Sequence, residues 1–277
     1  MAGFSGISCP GAAACTAVGA STDRTGKSAF NLAKSWNGTH WGVVRTPRPS
    51  PGGVLQLPDS GNARAAPVRP ARPGELRIWV ASPAQPRHCL LADLVGRVAE
   101  RHHLRASVSQ PAPASWGPLN VYPAEVSAGP PEPLDVAVAA AGEPAGSPAH
   151  RIQPGAAQPR VPDLTGVDPL ALRLALLRRP YRTSLTLSRD DLVAADTLLK
   201  RWRELVSHWA LSPSRPMCAE YVADFLDALD ADLDTPSALR SLAALAGDQE
   251  IPDGARFEAF AYMDRFLGLD LARDVGR

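Results

Sequence analysis

The sequence contains no run of about 18 apolar residues, the length that a membrane-spanning helix requires. Its first residues also lack a positively charged stretch followed by an apolar one, so no secretory signal peptide is predicted. Cysteine is scarce: the four cysteines are Cys9, Cys15, Cys89 and Cys218, without a Cys-x-x-Cys pair or zinc-finger spacing. These absences argue against a helical membrane protein and a cysteine-rich zinc module, and they predict a cytoplasmic protein.

Proline, by contrast, is abundant, with 28 residues in a chain of 277. Twenty-one of them lie between Pro47 and Pro162, which predicts a loop-rich middle segment. Charge is also uneven: residues 1–160 carry 15 Lys and Arg against 9 Asp and Glu (+6), whereas residues 161–277 carry 14 against 19 (−5). We therefore expect a mixed α+β protein of three parts: a β-strand segment (1–47), an α/β segment with a Pro-rich linker (48–162) and a helical bundle (163–277).

Residues 4–47 contain four short segments of alternating apolar and polar residues, which is typical of β-strands. Asn37-Gly38 marks a tight hairpin turn, and we expect Trp36 and Trp41 to pair across it. The segment resembles one unit of an actinobacterial β-propeller-like repeat through Ser8-Cys9, the residues 15–19 and Trp36-Asn37-Gly38. Because one such unit cannot bury both of its faces, a fusion or a misplaced start explains it as well as a genuine domain does.

A strand, a loop and a helix are predicted in order between residues 76 and 102, which is the opening of an α/β unit. The strand covers 76–81, and the helix at 89–102 has Leu90, Leu94 and Val98 on one side. A further strand is predicted at 134–141.

Five helices are predicted after residue 162. Asp168-Pro169, a capping residue followed by proline, begins a helix that runs to about residue 179. Ser188 begins a second helix at 190–209, whose apolar stripe includes Trp202 and Trp209. Three more helices are expected near residues 221–229, 235–247 and 252–268. Their short connections predict one all-α bundle that folds on its own.

The chain resembles the cysteinyl-tRNA synthetases, which are class I enzymes, and their relative that joins cysteine to a sugar in mycothiol synthesis. In the tail, DPLALRLALLRRPYR and ALDADLDTPSAL are close to the family's DPxALRxxLLxxHYR and ALDDDLDTPxAL. In the middle, the matching residues are Leu55, Leu57, Asp59, Pro73-Gly74, Arg77, Val80, Pro83, Asp93 and Arg97. The resemblance implies a truncated, Rossmann-like α/β remnant followed by a helical bundle of the DALR, anticodon-binding type.

The chain departs from that family where the family's chemistry takes place. Ala81 stands where the family has a cysteine that helps to bind zinc, and the histidine signature for ATP between Pro83 and Asp93 is missing. His88 lies there instead, and we expect it to be an exposed residue of a loop or helix start. The family's KMSKS lysine loop is absent too. Although the family uses ATP and zinc, we therefore predict no catalytic residues, no cofactor and no metal site, and the departures argue against enzymatic activity.

The resemblance implies descent from a cysteine–tRNA ligase. The implied present function is that of a non-catalytic module that binds tRNA or a protein through the helical bundle. The candidate RNA-binding residues are Arg173, Arg178, Arg179 and Arg182, because the resemblance places the approach of tRNA there. A role in balancing the acidic groups of the bundle explains these arginines equally well. The alternative function is a weak or partner-dependent, ATP-dependent cysteine ligase.

Overall fold

The N-terminal strands form a four-stranded antiparallel sheet. The structure is a computed structural model that describes the backbone of these strands and, with their side chains, residues 53–114, 116–156 and 163–276. The strands are β1 (Ala2–Gly11), β2 (Ala14–Thr22), β3 (Ala29–Trp36) and β4 (Trp41–Val44), which pair in chain order. Trp36 and Trp41 are register partners, which confirms their predicted pairing, whereas the Asn37-Gly38 turn lies outside the described residues.

A five-stranded parallel sheet is the centre of the middle segment. The elements in order are β5 (Gln56–Pro58), β6 (Ala65–Pro67), β7 (Glu75–Val80), α1 (Pro86–Arg101), β8 (Arg105–Gln110), β9 (Glu125–Val126), β10 (Val136–Val138) and β11 (His150–Ile152). Strands β5 and β6 form a small antiparallel pair, and the parallel sheet has the order β11-β10-β7-β8-β9. This mixed α/β architecture confirms the mixed fold class and is consistent with a Rossmann-like remnant, whereas the DALR, anticodon-binding type of the tail stays a prediction.

The chain order reverses between β7 and its neighbour β10 in the parallel sheet. After β7 the chain continues through α1 to β8 on one side, and it returns later to β10 on the other side. In open α/β sheets, the loops that leave two such strands diverge and form a crevice at the carboxyl edge. The topology therefore places the loops after Val80 and Val138 at the position where proteins of this architecture bind ligands.

The tail contains five helices, as predicted. They are α2 (Pro169–Leu177), α3 (Arg189–Trp209), α4 (Ala219–Asp230), α5 (Thr235–Gly247) and α6 (Asp253–Leu267). The predicted caps are present: the side chain of Asp168 accepts a hydrogen bond from the Leu170 amide, and Ser188 with Asp191 completes a capping box. Gly268 follows α6 with a φ of 62°, a left-handed conformation that ends the helix.

Aromatic side chains fill the interior of the bundle. Trp202 and Trp209 both contact Phe260 edge to face, with ring centroids 6.4 Å and 5.1 Å apart. Phe225 packs on Phe266 from the other side, at 6.1 Å. Both tryptophans are buried, so the prediction that they belong to the core is confirmed.

One hydrophobic core extends across the predicted boundary at residue 163. Leu94 and Val98 of α1 belong to the same buried cluster as Leu267 and Leu271 at the end of the tail. Helix α1 packs against α6, and α2 packs against the short turn at 117–119. The division into three parts stays a prediction, and this shared core predicts that the bundle depends on α1 for part of its burial.

Gly254, near the start of α6, allows a close approach of the backbone at Pro213. A Cβ atom at residue 254 would lie 1.9 Å from the Pro213 carbonyl oxygen. Gly254→Ala is therefore expected to lower the free energy of unfolding by about 1–3 kcal/mol, because the backbone must move to relieve the overlap. Gly247→Ala is the matched control: its Cβ would have no atom within 4 Å, and it should stabilise by up to about 1 kcal/mol. Equal stabilities of the two variants in urea denaturation would contradict this packing.

Candidate functional site at the carboxyl edge of the parallel sheet

Three polar side chains meet at the crevice between β7 and β10. Ser82, in the loop after β7, donates a hydrogen bond to one carboxylate oxygen of Glu143, which lies in the loop after β10. The other oxygen accepts a hydrogen bond from the Ala140 amide at 2.6 Å. His88, in the first turn of α1, has its Nε2 atom 3.6 Å from that second oxygen. The crevice thus presents a carboxylate, a hydroxyl and an imidazole.

Burial sets the charge of the histidine in this group. His88 is 5% exposed, so the prediction of an exposed side chain is wrong, although its position at the helix start is confirmed. Burial lowers the pKa of His88, and this outweighs the opposing influence of the Glu143 charge. Neither ring nitrogen has a hydrogen-bond partner among the described residues. His88 is therefore neutral at neutral pH.

Glu143 is ionised in the same crevice. Partial burial raises the pKa of its carboxyl group, but the hydrogen bonds from Ser82 and the Ala140 amide, with the charge of Arg151, bring it below its usual value. A carboxylate that accepts several hydrogen bonds keeps its charge at neutral pH. The crevice consequently carries negative charge beside a neutral imidazole.

The two cationic side chains of the crevice are both occupied with backbone carbonyl groups. Arg87, which is 2% exposed, donates to the carbonyl oxygens of Thr183 at 2.6 Å and Pro180 at 2.7 Å. Arg151 donates to those of Ala140 at 2.9 Å and Glu143 at 2.7 Å. Both guanidinium groups therefore hold loops in place through terminal nitrogens, while the Nε donor of each is buried without a hydrogen-bond partner among the described residues.

The described residues also do not fit the zinc ion of the synthetase family. Ala81 has no side-chain ligand to offer. Within the ranges that the structure describes, no three His, Cys, Asp or Glu side chains lie together in a way that could hold a metal ion. The chemistry that the crevice offers is therefore hydrogen bonding to a carboxylate, a hydroxyl and a neutral imidazole.

Arg173 does not lie with the other predicted RNA-binding arginines. It is completely buried, and its guanidinium group contacts the carboxylate of Asp93 at 2.6 Å and the Leu119 carbonyl at 3.0 Å. Burial lowers the pKa of Arg173, and the charge of Asp93 opposes that effect. The expectation that Arg173 reaches RNA is thus corrected: in this fold it pairs with a carboxylate 80 positions away, inside the core.

Arg178, Arg179 and Arg182 remain exposed at the end of α2 and in the turn that follows, and we call them the arginine turn. Arg182 forms an ion pair with Asp232, whose other oxygen accepts a hydrogen bond from Tyr181 at 2.6 Å. Arg178 and Arg179 lie near Asp191. Hydrogen bonds from Ser188 lower the pKa of Asp191, and the positive charges of the two arginines lower it further. The structure thus brings together three of the four predicted arginines.

Acid should weaken the fold through His88. Because the folded-state pKa of His88 lies below that of the unfolded chain, the unfolded state binds the proton first, so stability falls as pH drops below about 6.5. His88→Leu is expected to flatten the decrease in unfolding free energy between about pH 7 and pH 5. His208→Leu is the control, since the His208 side chain is 72% exposed. An unchanged pH profile for His88→Leu in urea denaturation would rule out this assignment.

Comparison with known proteins finds partial matches to one kind of enzyme. The chain is 38% identical over 111 residues to the L-cysteine:1D-myo-inositol 2-amino-2-deoxy-alpha-D-glucopyranoside ligase of Thermomonospora curvata, which covers 38% of this chain and 26% of that protein. It is 43% identical over 93 residues to the ligase of the same name from Catenulispora acidiphila, covering 32% and 20%. This chain is similar to cysteine ligases.

The similarity is limited in extent. The matches cover about a quarter of the length of these curated relatives, and no family model matches the chain. They confirm the predicted resemblance to ligases that join cysteine to a sugar, whereas the β-propeller-like repeat in residues 4–47 finds no support and stays a prediction. In the described part of the chain, no helix is long and apolar enough to cross a membrane.

Proposed function

We propose that this chain is a non-catalytic relative of cysteine ligases that binds RNA through the arginine turn. The observation that carries the non-catalytic part is the use of Arg87 and Arg151, whose donors bind backbone carbonyl groups in the crevice. A triphosphate placed there would face the carboxylate of Glu143, and both nearby arginines already hold backbone carbonyl groups. Phosphoryl charge in ATP-dependent activation needs such stabilisation, so the crevice is poorly suited to it.

The arginine turn supports the choice of RNA as the partner. Arg178, Arg179 and Arg182 lie exposed within five residues, and guanidinium groups bind phosphate with paired donors. Arg87 holds the carbonyl groups of Pro180 and Thr183 beneath them, which fixes the backbone of the turn. Because the tail has a net charge of −5, binding to RNA phosphates requires a local cluster of positive charge of this kind. The resemblance of the tail to the tRNA-contacting domain of synthetases points to the same surface.

Replacing the arginine turn should weaken binding to tRNA. We expect the triple variant Arg178→Ala, Arg179→Ala, Arg182→Ala to bind at least ten-fold more weakly and to reduce the salt slope of log affinity by about 2. Filter binding of total tRNA at several salt concentrations measures both quantities. The physical reason is the loss of phosphate contacts from Arg178 and Arg179, and from Arg182 where phosphate replaces its partner Asp232, since each contact releases counterions.

A second triple variant with the same charge change is the control. Arg64, Arg69 and Arg72 are exposed in the middle segment, and their replacement by alanine should change tRNA affinity less than about three-fold. Equal effects of the two triple variants would show that tRNA affinity depends on the net charge of the protein and not on the arginine turn. If the wild-type chain binds no tRNA at low salt, the RNA proposal is wrong and a protein partner takes its place.

The alternative function is ATP-dependent ligation of cysteine. The similarity to ligases whose name states that they act on L-cysteine and an amino sugar favours it, as does the position of Ser82, His88 and Glu143 at the crevice. Cysteine-dependent exchange of pyrophosphate into ATP, with and without added zinc, tests it. We expect no exchange above buffer. Exchange that disappears in Glu143→Gln would establish the ligase and end the non-catalytic proposal.

A further inference from the structure

A cavity of about 270 Å³ lies on the face of the sheet that α1 covers, apart from the crevice. Small residues create it: Ala92 and Gly96 on α1 face Ala106 on β8. Alternate residues of a strand point to the same face, so Val108 and Gln110 of β8 line the cavity as well. Trp116 and the residues 121–124 line the remaining side.

Gln110 is the polar group of this cavity without an explained role. It is 5% exposed, and no group in the described part of the chain forms a hydrogen bond with its side-chain carboxamide. The carboxamide is not among the unpartnered polar atoms that are sealed from solvent, and it lines the cavity. The carboxylate of Asp93, which also lines the cavity, is by contrast fully engaged by Arg97, Arg173 and the Tyr122 amide. Gln110 therefore offers one donor and one acceptor, side by side, to a molecule in the cavity.

Apart from the exposed Glu100 at the edge, the remaining walls are apolar and aromatic. The ring of Trp116 lines the cavity and is fixed by a hydrogen bond from Nε1 to the Pro83 carbonyl at 2.9 Å. Tyr122 lines it too, with the guanidinium group of Arg97 4.3 Å from its ring centroid. Burial raises the pKa of the Cys89 thiol in the wall to about 12, so this residue contributes a neutral surface. Small-molecule sites typically combine such an apolar enclosure with few polar groups.

We propose that this cavity binds a small, uncharged, planar aromatic molecule that carries a carboxamide-like edge. A ligand amide pairs with Gln110 through two hydrogen bonds, and the aromatic ring occupies the apolar space beside Trp116 and Tyr122. The cavity is about as large as the volume of nine liquid water molecules, which limits the ligand to about one substituted ring. This site is independent of RNA binding and of any ligase chemistry.

Benzamide and toluene are the probes, since they share the ring and differ in the amide. In NMR titrations of the full chain, benzamide should shift the Trp116 indole resonance and bind at least ten-fold more tightly than toluene. Ala114→Leu, which places a larger side chain in the wall, should abolish binding of both. Equal affinity for the two probes, or no binding of benzamide, would overturn the proposal.

Gln110→Met separates ligand recognition from folding. Methionine has a similar length but no amide, so this variant should bind benzamide at least ten-fold more weakly while its Tm stays within about 4 °C of that of the unmodified chain. Weaker binding at an unchanged Tm cannot result from unfolding. Unchanged benzamide affinity in this variant, or a Tm that falls by more than this, would refute the site.

Discussion

Asp93→Ala is expected to lower the free energy of unfolding by about 3–5 kcal/mol. The Asp93 side chain is completely buried and accepts hydrogen bonds from Arg97 at 2.8 Å and Arg173 at 2.6 Å. Its removal leaves two guanidinium groups in the interior without the carboxylate that they share. An uncompensated buried charge is among the costliest defects in a protein, because water can no longer solvate it.

The double variant Asp93→Leu, Arg173→Met tests this explanation. It removes one charge of each sign, so its destabilisation should be smaller than that of Asp93→Ala. Arg72→Ala provides a surface reference, since its ion pair with Glu75 is about half exposed and should contribute less than about 1 kcal/mol. Urea denaturation measures all three variants. A loss below about 1 kcal/mol for Asp93→Ala would show that the buried network contributes little.

The isolated segment 163–277 is expected to remain helical but to lose at least about 10 °C in Tm relative to the full chain. In the fragment, Arg173 lacks Asp93 and the carbonyl oxygens of Leu119 and Asn120. The apolar surface that α1 covers in the shared core also becomes exposed. A loss of about 3–5 kcal/mol shifts Tm by this amount or more in a domain of this size.

Arg173→Met within the fragment identifies the cause. In the fragment water reaches the Arg173 guanidinium, so methionine should change the Tm of the fragment by less than about 4 °C, whereas the same substitution should lower the Tm of the full chain by leaving Asp93 with one arginine fewer. Circular dichroism at 222 nm follows both transitions. A fragment that melts at the same temperature as the full chain would instead establish full autonomy of the bundle.

Local signals in the sequence were sufficient for the helices of the tail. Asp168-Pro169, Ser188 with Asp191, and Gly268 act on the residues next to them, so the helix ends are readable without knowledge of the fold. The same holds for the apolar stripe that buries Trp202 and Trp209, because its period is that of the helix itself. The pairing of Trp36 with Trp41 likewise joins residues only five positions apart.

Signals at long range were not readable. Arg173 stands among leucines on α2, which marks it as unusual, yet its partner Asp93 lies 80 positions earlier and nothing in either segment indicates the pairing. His88 looked like a surface residue because the sequence does not reveal that the loop carrying Glu143 closes over it. Nothing in the sequence distinguishes Gln110, because polar residues are common at strand ends. Its role depends on the position of the strand under α1.

The sequence by itself determined which segments become helices and strands, because periodicity and caps depend on neighbouring residues. It also determined what kind of enzyme the chain resembles, because motifs are recognised by comparing sequences. The tertiary structure alone decided which charged groups are buried, which arginines reach the solvent, and where the crevice and the cavity lie. Burial and ion pairing depend on distances between residues far apart in the chain, and those distances are set only when the sheet, α1 and the bundle pack into one core.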